Sequence, residues 1–205
     1  MKQQITTLFA GGVLALALFG AAMAGPLEDG QAAVRKGDYA TAMQYFRVLA
    51  DQGNAVAQNN LGFMYDQGLG VPRDYAQAVV WYRKAADQGD AAAQNNLGRM
   101  YVADQGVPRD YAQAVVWLRK AAEQGNALGQ VNLGTMYDHG HGVPQDYVQA
   151  HMWYNLAASS AEDDATRNEA ANVRDIVAAK MTPAQIAEAQ RMAREWKATN
   201  AANPP

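Results

Sequence analysis

Residues 54–89 read NAVAQNNLGFMYDQGLGVPRDYAQAVVWYRKAADQG, and two further copies follow without a gap at 90–125 and 126–160. A partial copy at 27–53 precedes them on the same grid. A shift of 36 residues superimposes equivalent leucines and tryptophans, which are Leu61, Leu97 and Leu133, and Trp81, Trp117 and Trp153. Self-similarity at this period indicates a repeat array, in which each unit buries its apolar face against its neighbours.

The first half of each copy predicts one helix and a tight loop. Apolar side chains recur at helical spacing over about Ala55–Asp66, which places them on one face. Gly68 and Gly70 then permit positive φ, and Pro72 cannot continue a helix. The second copy has Asp104 where the others have glycine, and Asp tolerates the left-handed conformation better than most residues.

The second half of each copy predicts a second helix. Asp74 is an N-cap residue, Gln77 completes a capping box three residues later, and Gly89 ends the helix. Two readings of the tryptophans are open: a stacking platform for sugars or bases, or core packing. Core packing is favoured, because the predicted buried face consists of Ala78, Trp81, Tyr82 and Ala85.

The repeat grid ends after Ala158, and residues 161–199 predict a C-terminal cap of two helices. The first covers about Glu162–Lys180. Thr182 and Gln185 form a capping box with Pro183 at the first position of the last helix. One apolar stripe runs along that helix, made of Ile186, Ala189, Ala193 and Trp196. Residues 200–205 are expected to form a flexible tail.

The composition excludes several classes of function. The chain has 205 residues, a net charge of −3 and no cysteine. Without a basic field, nucleic acid is not an expected partner. Without cysteine there can be no disulfide, thiolate metal site, cysteine nucleophile or lipid-bearing N-terminal cysteine.

The first 24 residues predict a secretory signal peptide. Met1 and Lys2 form a short positive region, and an apolar run follows at residues 8–19 (LFAGGVLALALF). Small residues then suit cleavage after Ala24. A retained anchor is the less favoured alternative, because the run is shorter than the ~20 residues that span a bilayer. We therefore expect a periplasmic or secreted protein that is not inserted in a membrane.

The pattern A-x-A-Q-x-N-L-G-x-M-Y…G-V-P-x-D-Y-x-x-A-x-x-W…A-A-x-x-G resembles the Sel-one-like repeat (SLR) family, a branch of the tetratricopeptide-type helical repeats. The resemblance covers about Asp38 to Ala158. It implies an all-α fold, a right-handed α-solenoid of antiparallel helix pairs with a C-terminal helical cap. It also implies an adaptor or scaffold that binds a protein or peptide in a concave groove.

Differences between the copies suggest where a partner binds. Positions that are identical in all copies are expected to be scaffold, whereas first-helix positions that differ are free to carry specificity. By analogy with the tetratricopeptide groove, the partner-binding candidates are Asn59, Phe63 and Asp66, then Asn95, Arg99 and Val102, then Val131, Thr135 and Asp138. The alternative is that these are ordinary solvated helix residues. The invariant series Asn60, Asn96 and Asn132 is expected to bond backbone between helices.

Catalytic and metal-binding motifs are not predicted. His139 and His141 bracket a glycine in a loop, without the fixed spacing of a metal site. Ser159 and Ser160 are the only serines, and acidic residues stand three positions after them where a β-lactamase-like nucleophile needs lysine. We expect no catalytic residue, no cofactor and no metal.

Three functions remain open. The leading hypothesis is an exported scaffold that holds a protein or peptide in its groove. The alternative is a cell-wall-acting envelope protein, which binds peptidoglycan or has β-lactamase-like activity. A third is an assembly factor that uses the convex face or the C-terminal cap.

Overall fold

The computed structural model describes residues 25–202, with side chains as far as Thr199. The predicted signal peptide and residues 203–205 lie outside the described residues. Within residues 25–202 the chain forms ten α-helices and no strand. They are α1 Pro26–Arg35, α2 Tyr39–Asp51, α3 Ala55–Gln67, α4 Tyr75–Asp87, α5 Ala91–Ala103, α6 Tyr111–Glu123, α7 Ala127–His139, α8 Tyr147–Ser160, α9 Asp164–Ala178 and α10 Pro183–Ala202.

Consecutive helices form pairs, and the pairs stack in chain order. The pairs are α1 with α2, α3 with α4, α5 with α6, and α7 with α8, and each second helix also packs against the first helix of the next pair. The predicted all-α stack of helix pairs is confirmed. The core is a chain of clusters along the stack, because no single pair buries its own apolar face.

The second helices begin at an aspartate N-cap, as predicted. Asp74 Oδ1 accepts a hydrogen bond from the Gln77 amide at 3.0 Å. The predicted capping box between Asp74 and Gln77 is wrong, however, because the Asp74 N–H donates to the carbonyl of Tyr65 at 3.0 Å. This bond fixes the start of α4 to the end of α3, and it recurs in the next two repeats. Only Thr182 and Gln185, among the described residues, form the complete reciprocal box.

The loops between paired helices use left-handed residues. Asp104 has φ 60°, close to φ 71° at Gly68, which confirms the prediction for the second copy. Its carboxylate also accepts a hydrogen bond from the Arg109 amide at 3.1 Å. Gly106 adds a packing requirement, because a Cβ there would overlap the carbonyl of Tyr75 in the preceding repeat. Each such loop therefore rests on the start of the preceding second helix.

Both predicted C-terminal helices are present, and both pack against α8. The α10 stripe buries Ala189 and Ala193, and Trp196 meets Trp153 edge-on at 5.9 Å between ring centroids. Met152 lies in the same cluster and is buried, whereas the equivalent Val116 of α6 is 46% exposed. Helix α10 thus covers the face of α8 that is solvent-exposed in the earlier second helices. It continues to Ala202, so it extends into the stretch predicted to be a tail at 200–205.

Candidate functional site

The first helices α1, α3, α5 and α7 lie side by side and form what we call the first-helix face. Amide side chains join neighbouring members of this row. Asn96 Nδ2 donates to Asn59 Oδ1 at 3.1 Å, and Asn132 Nδ2 donates to Asn95 Oδ1 at 2.7 Å. Asn96 and Asn132 are therefore scaffold residues, as expected, but each bonds a side chain rather than backbone.

Five of the nine candidate residues are accessible on the first-helix face. Phe63 is 44% exposed, which is unusual for a phenylalanine. Arg99 is also exposed, and its Nη1 is 3.5 Å from Asn96 Oδ1, at the limit of a hydrogen bond. Asn59, Val102 and Thr135 are half-buried. An aromatic ring and a guanidinium are therefore the largest groups that this face offers to a partner.

The other four candidates, Asp66, Asn95, Val131 and Asp138, are buried beneath the face. Asp66 accepts hydrogen bonds from Gln67 Nε2 and from the Tyr82 hydroxyl. Asp138 forms a 3.0 Å ion pair with Lys180. The expectation that all nine side chains line an open surface is thus too broad. Residues can differ among the copies because they face solvent or because they make different contacts inside the stack. Variation alone therefore does not identify exposed positions.

Each first helix carries a glycine that one side chain of the second helix covers. A Cβ at any of these glycines would come within 2.6–2.7 Å of that side chain. We call the second-helix residue the floor residue, because it lies below the first-helix face. The pairs are Gly30 with Phe46, Gly62 with Tyr82, Gly98 with Leu118, and Gly134 with Tyr154.

The floor residues differ in whether they carry a hydroxyl. The Tyr82 hydroxyl lies 3.4 Å from Asp66 Oδ2, and the Tyr154 hydroxyl lies 3.1 Å from Thr135 Oγ1. Burial raises the pKa of Tyr154 to about 12, and it also raises the pKa of Tyr82. Both phenols therefore keep their proton at neutral pH. Phe46 and Leu118 have no such group.

Among the described residues, cavities on the first-helix face lie above Phe46 and Leu118, the floor residues without a hydroxyl. One, of about 280 Å³, lies between α1 and α3 and is lined by Val34, Arg35, Phe46, Phe63 and other residues. The other, of about 180 Å³, lies between α5 and α7 and is lined by Arg99, Val102, Leu118, Thr135 and Met136, among others. Each cavity combines an apolar interior with one arginine.

A third cavity, of about 510 Å³, lies on α2 at the N-terminal end of the stack. Its lining includes Tyr45 and Val48, which are 36% and 58% exposed. Tyr45 stands where the later repeats have tryptophan, so this surface is the one that a preceding repeat would cover.

Regular polar links, which sequence comparison does not single out, join the second half of a repeat to a first helix. Arg47, Arg83 and Arg119 each donate to a tyrosine hydroxyl eighteen residues later, at 2.5–2.7 Å. Gln88 and Gln124 donate to Gln58 and Gln94 of their own repeats at 2.7 Å, and Ser160 donates to Gln130 in the same way at 3.2 Å. The recurrence of these residues at the repeat period was the available signal.

The tryptophans are core residues. Trp81, Trp117 and Trp153 are 4–7% exposed, so the stacking-platform reading is wrong. Lys84 and Lys120 lie over the first two rings, with Nζ 4.0 and 4.2 Å from the ring centroids. These contacts place cations on the outside of the stack.

The histidines and serines occupy separate places. His139 stacks on His141, which stacks on Tyr111, and His151 is buried in α8. Ser160 is bonded to Gln130 and to the Leu156 carbonyl. Between residues 25 and 199, no group of three or more His, Cys, Asp or Glu side chains is placed to hold a metal ion. None of the described helices is both long and apolar enough to cross a membrane.

Comparison with known proteins identifies the repeat. The Sel1 repeat matches in four tandem copies, at residues 15–54, 55–90, 91–126 and 127–161. The first copy begins upstream of the partial repeat predicted at 27–53, and its residues 15–24 lie outside the described part of the chain. No match was found among curated protein sequences.

Two solved structures show the same architecture. A Sel1 repeat protein from Oxalobacter formigenes is 36% identical with a TM-score of 0.65, over 72% of this chain and 57% of that one. A protective antigen of uropathogenic Escherichia coli strains, which displays an SLR fold, is 30% identical with a TM-score of 0.57, over 83% and 44%. This chain thus spans about half the length of either relative. With its four tandem copies and this shared architecture, the chain belongs to the Sel1 repeat family.

Proposed function

We propose that this protein is an exported, non-enzymatic scaffold that binds a protein or peptide on its first-helix face. Sel1 repeat proteins generally act as scaffolds for protein–protein interaction and are typically not enzymes. The observation that carries the proposal is the exposure of Phe63 and Arg99 on neighbouring first helices. Phenylalanine and arginine are both enriched at protein–protein interfaces relative to the rest of the surface.

The geometry also suits an extended segment. Parallel first helices present their side chains in rows along which an extended segment can bind, and the Asn96–Asn59 and Asn132–Asn95 hydrogen bonds hold neighbouring helices together. The burial of Asp66, Asn95, Val131 and Asp138 limits direct contact to Asn59, Phe63, Arg99, Val102 and Thr135. These five are the partner-binding residues that we propose.

Export is a separate part of the proposal. It rests on the positive start, the apolar run at residues 8–19 and the small residues before Gly25. Cell fractionation followed by N-terminal sequencing tests it. A periplasmic or extracellular product that begins at Gly25 is expected, and a full-length cytoplasmic product would contradict it.

Partner capture from an envelope extract tests the binding surface. The parent protein is compared with the Phe63→Ala/Arg99→Glu double variant and with Val116→Glu, which changes an exposed residue on the opposite side. All three need matched melting temperatures. We expect a protein that the parent and Val116→Glu retain and the double variant loses. Equal recovery by the parent and the double variant would place the working surface on the outer face or the cap.

A further inference from the structure

The floor residue and one first-helix residue vary together along the stack. Four positions after each covered glycine stand Val34, Asp66, Val102 and Asp138. Tyrosine floors accompany aspartate at this position, whereas Phe46 and Leu118 accompany valine. The two positions therefore form two kinds of unit, one polar and one apolar.

Each apolar unit has a pocket at the junction between neighbouring first helices, and the Tyr82 unit joins its tyrosine to its aspartate by a hydrogen bond. Between α3 and α5, Tyr82 packs against Leu97 and Met100 and directs its hydroxyl to Asp66. Between α1 and α3, and again between α5 and α7, the cavities of about 280 and 180 Å³ lie above Phe46 and Leu118. An apolar cavity of about 150 Å³ is large enough to hold benzene, so each can accept one apolar side chain. The first-helix face thus has a pocket at each of these two junctions, with the Tyr82–Asp66 unit between them.

From this alternation we propose that the two pockets bind one extended peptide segment through two aliphatic side chains, each next to an acidic residue. This inference rests on the proposed function and names the chemistry of the partner. Each pocket supplies the apolar anchor that a binding segment needs near the centre of its contact surface.

The spacing of the two anchors follows from the helix packing. Helices in contact lie about 8–10 Å apart, and the pockets are two helix spacings apart, which gives roughly 16–20 Å. An extended chain advances about 3.3 Å per residue. The anchors are therefore about five or six residues apart in the bound segment.

The arginines beside the pockets favour acidic residues next to the two anchor side chains of the peptide. Arg35 and Arg99 are exposed and contribute to the pocket linings, and neither is in a salt bridge among the described residues. Neither pocket lining includes an acidic residue, and the buried Asp66 and Asp138 are bonded to Tyr82 and to Lys180.

Synthetic peptides test the spacing and the charge. The probe is a fluorescein-labelled, end-capped peptide, Ser-Leu-Asp-Ser-Gly-Ser-Gly-Leu-Asp-Ser, with its leucines about six residues apart. Fluorescence anisotropy with the purified full protein gives its Kd. Three comparison peptides have leucines about three residues apart, serine in place of one leucine, or asparagine in place of both aspartates. Each is expected to bind at least about tenfold more weakly than the probe.

Exchange of the two kinds of unit tests the pockets. Leu118→Tyr/Val102→Asp copies the polar unit of the preceding repeat and is expected to weaken the probe about tenfold with little change in melting temperature. Tyr82→Leu/Asp66→Val copies the apolar unit and opens the middle junction. It is expected to leave the probe affinity unchanged and to strengthen the peptide with closely spaced leucines about tenfold, because the new pocket lies one helix spacing from each neighbour.

Each outcome decides the matter. No binding of the probe, equal affinity for all spacings, or a Kd unaffected by Leu118→Tyr/Val102→Asp at matched stability would overturn the two-pocket proposal. Capture of a partner that depends on Phe63 and Arg99 would still support the broader binding function in that event. If the two-pocket result and the Phe63- and Arg99-dependent capture both fail, both proposals are wrong.

Discussion

The hydroxyl of Tyr82 donates to the carboxylate of Asp66 across 3.4 Å, beneath the surface formed by the first helices. Asp66 is only 3% exposed, and its other hydrogen bond comes from Gln67. A buried carboxylate that loses a donor is destabilising, because it has already lost its contact with water.

Tyr82→Phe is therefore expected to lower the free energy of unfolding by about 1–2 kcal/mol. Urea denaturation at pH 7 measures the change. In an Asp66→Val background the same substitution removes a hydroxyl but leaves no buried carboxylate without a donor. The loss of unfolding free energy is therefore expected to be much smaller. An equal cost in both backgrounds would show that the bond to Asp66 is not the cause.

Lys180 is expected to hold the C-terminal cap to the last repeat. Its Nζ pairs with the largely buried Asp138 at 3.0 Å and lies 5.1 Å from the centroid of the Tyr147 ring. Lys180→Met should lower stability by about 0.5–1 kcal/mol, since the lysine itself is partly exposed. In this variant, amide hydrogen exchange should become faster in α9 before it becomes faster in the repeats. Arg191→Met, which breaks exposed pairs within α10, is the control and should leave α9 unchanged.

His151 is expected to make the protein less stable in mild acid. Burial, with a smaller contribution from the charge of Arg174, lowers the pKa of His151 below its usual 6.5, and Asp175 opposes this. The unfolded chain therefore takes up a proton near pH 6.5 that the folded chain takes up only at lower pH. The stability due to the neutral imidazole is complete above pH 6.5 and is lost as the pH falls below it.

His151→Val tests this dependence. Valine is the residue at the same place in the two preceding second helices, at Val79 and Val115. Unfolding free energies measured from pH 8 to pH 5 should decline less in the variant than in the parent. Identical slopes would exclude His151 as the source.

Ala189 is expected to tolerate no larger side chain, because it is fully buried where α10 packs on α8. Ala189→Leu should cost about 1–3 kcal/mol through overpacking. Ala187→Leu, on the exposed side of the same helix, keeps the helix propensity comparable and should have little effect. The difference in melting temperature between the two variants is the measurement. No difference would mean that α10 docks through other contacts.

Asp104 is expected to behave as a glycine substitute. Alanine there should cost about 1–2 kcal/mol, because it must adopt the left-handed conformation and cannot bond the Arg109 amide. Asp104→Gly should change stability little. Glycine removes the strain of the left-handed conformation, and this offsets the lost hydrogen bond to the Arg109 amide. Chemical denaturation of the two variants gives the comparison. Greater loss with glycine than with alanine would assign the role of Asp104 to its carboxylate alone.

Repeat comparison predicted the helices well because their signals are local. Asp74 caps the second helix, Gly68 takes the left-handed turn, and Trp81 is buried, all as the 36-residue grid indicates. The wrong predictions concern hydrogen-bond partners rather than the positions of the helices. Gln77 does not complete its capping box, because the competing acceptor for the Asp74 amide, the Tyr65 carbonyl, lies nine residues away in another helix.

The candidate surface was predicted less well for a related reason. Helical periodicity does not distinguish a side chain that faces solvent from one that faces the neighbouring first helix, so Asp66 and Phe63 were treated alike. The floor residues were missed because they lie on the second helices, where only scaffold was expected. The signal was present, since Leu118 interrupts the tyrosines at positions 82 and 154.

The hydrogen bonds of Arg83 to Tyr101 and of Arg119 to Tyr137 join consecutive repeats and recur thirty-six residues apart. These internal units therefore meet their neighbours through the same contact. Unequal recombination between the gene segments that encode these units would insert or delete whole units and leave both termini of the stack unchanged. A lineage of such proteins can thus vary the length of its recognition surface in discrete steps, with either kind of floor residue in each new unit.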